Sequence, residues 1–180
     1  MSSLRFLLAF VVLSTPALAS QSPGDTGSTI ASFYSGVTGT TTWTGEAAFS
    51  QLSEEGTLST MNVPVSAYIH LLGANHWSVG VMICQATQCY YEGDETDWSN
   101  GTLNVHRYDG NTIVAQVTEA TPTSLAYTYN DPYGDLPTDT EVREEILGEQ
   151  FIRHTLIRVG ALIYEDYLFS VARAPAPAAN

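Results

Sequence analysis

The chain has 180 residues, of which 44% are hydrophobic, enough to bury the core of one domain. Its positive charges are six arginines, with no lysine, against nineteen acids, for a formal net charge of −13. Such a chain is repelled by nucleic acid and by anionic membrane surfaces, and it contains no run of the ~18 apolar residues that a membrane-spanning helix needs.

Residues 1–19 read as a signal peptide. Arg5 supplies the positive start, residues 7–13 the apolar stretch, and Ala17-Leu18-Ala19 a small-x-small cleavage site before Ser20. The expectation is an exported protein, periplasmic or extracellular, without stable membrane insertion. Residues 20–39 read as a flexible leader rich in Ser, Gly, Pro and Thr, with a short helix or turn over 29–34.

From residue 40 to 173 the chain alternates with the period of two that a half-buried strand requires. Trp43, Gly45, Ala47 and Phe49 share one face of the first strand. Met61, Val63, Val65, Ala67, Ile69 and Leu71 share one face of the second, where Pro64 implies an edge, a bulge or a bend. Trp77, Val79, Val81 and Ile83 face one way on the third. Cys84 and Cys89 then flank a hairpin loop that sets them opposite each other, and an exported chain favours their disulfide. A redox-active pair would want C-x-x-C spacing and a helix N-terminus, which this pair lacks.

Residues 92–97 read as an acidic loop. Asn100-Gly101 and Asp109-Gly110 are hairpin turns. Leu125, Tyr127 and Tyr129 share a face, and 131–139, with Pro132, Gly134 and Pro137, reads as the longest loop. Three closing strands over 141–147, 151–159 and 161–173 turn at Gly148 and Gly160. Residues 174–180 form an Ala/Pro-rich tail expected to be disordered. With no helix able to carry a parallel sheet, the fold class is all-β: an antiparallel up-and-down β-barrel of about 8–10 strands over 40–173, with at most a short N-terminal helix.

A first strand with a Trp near its start, a meander, and a last strand ending in Arg resemble the lipocalin-like (calycin) barrels. In that family a Gly-x-Trp motif sits at the barrel floor and a late Arg packs across the Trp. The matching positions are Trp43 and Arg173, with Thr41 in place of the glycine; the resemblance implies that the two meet as barrel-floor structural residues. The closing run VREEILGEQFIRHTLIRVGALIYEDYLFSVAR also looks like the closing strands of small bacterial lipocalin-like domains. The run TTWTGEA is similar in part to the nitrobindin-like haem barrels through Trp43 and Gly45. Thr41 and Ala47 replace the flanking glycines there, and the late His154 lies on the penultimate strand, so no cofactor is expected.

An inward Arg173 places Ile163, Glu165, Tyr167, Phe169 and Val171 on the inner face by parity. Arg153 and His154 are neighbours on opposite faces, so one of them points in. Trp77, Tyr127 and Tyr129 offer aromatic surface. The expected ligand-binding set is therefore Trp77, Tyr127, Tyr129, Arg153, His154, Glu165 and Tyr167. His70, His76, His106 and His154 show no metal-ligand spacing, although His70 and His76 could meet across the Gly73 hairpin, and no metal site is expected. The acidic stretch lacks the glycine and closing glutamate of an EF-hand, and no nucleophile, P-loop or dinucleotide motif is present.

These residues imply an exported binding protein that holds a small apolar or amphipathic, mostly apolar, molecule in a barrel cavity. The alternatives are a cofactor-free cyclase, hydratase or isomerase using Glu165, His154 and Tyr167, and an inhibitor or adhesin that acts through its loops and has a filled barrel. The volume of the barrel interior separates them, since a filled interior would exclude the first two.

Overall fold

In the computed structural model, the described residues are 23–38, 43–53, 56–85, 88–107, 110–133 and 136–173. The expected signal peptide (1–19), the start of the leader and the tail (174–180) lie outside them. One helix, α1 (Pro23–Ser35), precedes ten strands. These are β1 (Trp43–Leu52), β2 (Leu58–Gly73), β3 (His76–Gln85), β4 (Gln88–Ser99), β5 (Thr102–His106), β6 (Thr112–Thr121), β7 (Ser124–Tyr133), β8 (Leu136–Leu147), β9 (Gln150–Val159) and β10 (Leu162–Arg173).

Each strand pairs antiparallel with the next in sequence, and β10 closes on β1 to make a complete barrel. Trp43 stands opposite Ala67 on one side and Arg173 on the other. Closure removes the open edges that an alternating chain of this length would otherwise expose. Pro64 lies just past the last registered β2–β3 pair, Val65↔Ile83, where its missing N–H costs no ladder hydrogen bond on that side. Asn100 (φ 53°) and Gly101 (φ 79°) form the tight turn between β4 and β5, both in the left-handed region that this hairpin requires.

Helix α1 begins at Pro23, inside the stretch expected as leader. Proline is preorganised for a first helical turn, and Asp25 complements the positive end of the helix dipole. Ile30, Phe33, Tyr34 and Val37 recur at i, i+3, i+4 and i+7 and are buried, so the element is a helix because that stripe has a barrel base to cover. Gly27 is required where the helix crosses Trp98, because a Cβ there would strike the indole ring.

The base is filled by aromatic packing. Tyr34 stacks on Trp77 at 4.7 Å, Phe33 lies 6.4 Å from Phe151, and Phe151 lies 6.2 Å from Trp43. Arg173 sits over the Trp43 ring at 5.2 Å and donates from Nη2 to the Gly36 carbonyl at 2.7 Å. That arginine joins the last strand, the first strand and the end of the helix.

Several sequence expectations change. Residues 92–97 belong to strand β4, not a loop, because the ladder that starts at Gln85↔Gln88 runs on to His76↔Asp97. Of the stretch expected as a long loop, residues 131–133 and 136–139 are instead the paired ends of β7 and β8, with Asp131 opposite Thr138. Ile163 is 40% exposed because a bulge between Ile163 and Glu165 shifts the register with β9. Met61 and Leu71, at the outer parts of β2, are also exposed, while Val63, Val65, Ala67 and Ile69 between them are buried. Cys84 and Cys89 form the disulfide, with Cα atoms 4.1 Å apart.

Candidate functional site

The alternation that buries one face of every strand leaves the half of the barrel away from α1 hollow. The cavity there has a volume of about 430 Å³, within the roughly 300–1,000 Å³ of small-molecule sites. On one side it is bordered by Tyr91, Gly93 and Asp94 of β4 and by Arg107. Among the described residues β4 pairs with β5 from Glu95↔His106 to Ser99↔Thr102. Tyr91 folds over Gly80 at this side, with its hydroxyl 3.2 Å from Ser78 Oγ.

Arg153 forms the floor. It is 4% exposed and opposite Phe169 on β10. Its Nη2 pairs with Asp94 of β4, and its Nη1 lies 3.3 Å from Oε1 of the fully buried Glu144 on β8. The other oxygen of Glu144 accepts a hydrogen bond from the Tyr34 hydroxyl at 2.9 Å. The helix is thereby tied through one carboxylate to the cation on the cavity floor. A buried guanidinium needs such partners, because leaving a charge out of water without them costs several kcal/mol per ion on the order of the effective desolvation penalty.

Burial raises the Glu144 carboxyl above its ordinary value, opposed by Arg153 and by the Tyr34 hydrogen bond. Burial, together with Glu144, also pushes the Tyr34 hydroxyl well up, so it remains a donor. Burial lifts Tyr129 beyond its usual phenol range in the same way. Glu165, half-buried in the cavity wall, is raised by burial against a hydrogen bond from Gln51 Nε2 at 3.1 Å. A carboxyl raised on folding stabilises the fold fully below its ordinary value of 4.5, and that contribution is lost as pH rises through the folded value. Stability measured by urea unfolding is expected to fall across that window more steeply in the native chain than in a Glu144→Gln, Glu165→Gln double variant. Equal slopes would exclude these two groups as the source.

Four residues of the expected ligand-binding set wall this cavity: Tyr129, Arg153, Glu165 and Tyr167. Three do not. Trp77 is 2% exposed beneath Tyr34, and Tyr127 is fully buried with its ring 6.3 Å from that of Tyr129; both fill the packed region below the cavity. His154 stands on the outer face, 2.8 Å from Asp166, because its neighbour Arg153 points in and successive side chains alternate.

Asp94, Glu144, Arg107 and Asp131 join the site and are not in the expected ligand-binding set. Arg107 pairs with Asp131 at the cavity wall. Glu144 carried a usable signal, since Val142 and Ile146 share its parity. On the outer face His76 and His106 approach to 5.5 Å over Glu95 and Asp97, while His70 stacks on Tyr68. Burial acts to raise Asp97, but hydrogen bonds from Ser99, His106 and Asn104 outweigh it and hold the carboxyl below its usual range. Among the described residues no group of three or more His, Cys, Asp or Glu side chains is arranged to hold a metal ion.

No protein-family model matches the chain, and no curated protein matches it. The closed ten-stranded antiparallel barrel is compatible with a lipocalin-like barrel. Among the described residues no helix is long and apolar enough to cross a membrane.

Proposed function

We propose that this protein is an exported carrier of the lipocalin-like (calycin) kind, which holds a small amphipathic molecule in the upper half of its barrel. The single observation that carries this reading is the cavity of about 430 Å³ above a packed base. Phe49, Tyr129, Tyr167 and Phe169 give it aromatic walls, and Arg153 gives it a polar floor. The charged lining favours an amphipathic ligand over a wholly apolar one. Export is supported by the Cys84–Cys89 disulfide, a bond typical of oxidising compartments.

The enzyme alternative draws less support. Its acid–base set of His154, Glu165 and Tyr167 is not assembled, since His154 is outside the barrel and Glu165 bonds to Gln51. The loop-acting alternative wants a filled interior, whereas here only the base is filled.

Native mass spectrometry of the purified protein, with extraction of co-purifying small molecules, tests the proposal. The expected result is a bound mass that extraction removes. Tyr167→Ala is expected to weaken that ligand about tenfold, the equivalent of ~1.4 kcal/mol, with the circular dichroism spectrum unchanged. A protein that carries nothing, and takes up nothing from a panel of lipids and aromatic molecules, would overturn the reading.

A further inference from the structure

The charges around the cavity are unequal in a way that selects a ligand. Its two guanidiniums are already engaged: Arg153 by Asp94 and Glu144, and Arg107 by Asp131. An incoming carboxylate would have to displace one of these acids and would meet the others. Glu165 is the opposite case. Its hydrogen-bond partner is the neutral amide of Gln51, and among the described residues no arginine or histidine forms an ion pair with it.

The surroundings of Glu165 complete a cation site. Gln51↔Glu165 and Phe49↔Tyr167 lie two residues apart on one face of the β1–β10 ladder. The Phe49 and Tyr167 rings meet each other edge to face at 5.8 Å, and both line the cavity together with Glu165. A carboxylate and aromatic rings that line the same cavity attract a positive group twice over, by charge and by the ring quadrupoles. The net charge of −13 draws cations toward the mouth from a distance.

We infer that the cavity takes a protonated amine carried on an aromatic or apolar body, with the ammonium group against Glu165 and the rings of Phe49 and Tyr167. This rests on the binding function proposed above and names the class of its ligand. The body of the molecule lies deeper, toward Tyr129 and Phe169, and leaves the Asp94–Arg153–Glu144 network intact.

Isothermal titration calorimetry of the full exported chain with phenethylamine, phenethyl alcohol and phenylpropionate separates the outcomes. The amine is expected to bind at least about tenfold more tightly than the alcohol, and the carboxylate most weakly. Glu165→Gln is expected to erase the amine's advantage and leave the affinity for the alcohol in place. Glu46→Gln, at an exposed position on β1, serves as the charge control and is expected to change neither. A carboxylate or an alcohol that binds as tightly as the amine would overturn the inference while leaving the carrier reading intact, as would an amine preference that survives in Glu165→Gln. No binding by any of the three, together with no co-purifying molecule, would overturn both.

Discussion

Replacing Arg153 with methionine is expected to lower the stability of the fold by about 3–5 kcal/mol, the loss that follows when one member of a buried ionic cluster is removed. At ~2–4 °C per kcal/mol for a domain of this size, the midpoint of thermal unfolding should drop by roughly 6–20 °C. The methionine fills most of the space, so packing is a minor part of the loss. The larger part is the abandonment of Asp94 and Glu144. Glu144 is fully buried, and its remaining hydrogen bond comes from the Tyr34 hydroxyl at 2.9 Å. Adding Asp94→Asn and Glu144→Gln to Arg153→Met removes the orphaned charges and should recover most of the lost stability. Chemical unfolding of the single and triple variants measures both numbers. A triple variant no more stable than the single one would show that the cluster acts through packing rather than charge.

Phe33→Ala is expected to cost about 3–5 kcal/mol, in the range for truncating a buried phenylalanine. The side chain is fully buried between Tyr34, at 5.2 Å, and Phe151, at 6.4 Å. Its loss leaves a void at the contact between the helix and the barrel base. Because Tyr34 on the same turn holds Glu144, loosening the helix also disturbs the floor of the cavity. The variant should therefore unfold earlier in urea and show faster amide exchange in α1 than in β1 or β10. Uniform exchange across helix and barrel would mean that the helix does not separate from the barrel before global unfolding.

The two residues behind these predictions differ in how well the sequence displays them. Arg153 was legible as half of a choice, since Arg153 and His154 occupy opposite faces of β9 and one must enter the barrel. The choice itself depends on register. Arg153 faces in because it pairs with Phe169, and His154 faces out because it pairs with the exposed Leu168. Phe33 lay in a stretch read only as a short helix or turn. The stripe Ile30, Phe33, Tyr34 and Val37 has helical spacing, but a stripe that short becomes a stable helix only against a surface, and that surface is built by residues spread along the chain, from Trp77 to Phe151.

Asp94 was hidden for a related reason, and Glu144 showed only through its shared parity with Val142 and Ile146. Carboxylates are depleted in strands, so a run containing four of them reads as a loop, yet the ladder that passes through Cys84↔Cys89 carries the run on as β4. Glu144 sits among Glu141, Glu145 and Arg143, and its own composition speaks for solvent. Its burial follows from Arg153 and Tyr34, and Tyr34 is 110 residues away in sequence.

Local pattern alone accounts for the alternation and its punctuation: the antiparallel barrel, the meander at its end, the disulfide across one hairpin, and the inward parity of Glu165, Tyr167 and Phe169. These are local consequences of a side-chain period of two and of turns that demand particular residues. Which half of the barrel is filled and which is hollow, which arginine enters, and which acids meet it are set by long-range packing. Those outcomes depend on closure of β1 against β10 and on the helix that caps one end. Both join residues far apart along the chain, where no local pattern records the neighbour.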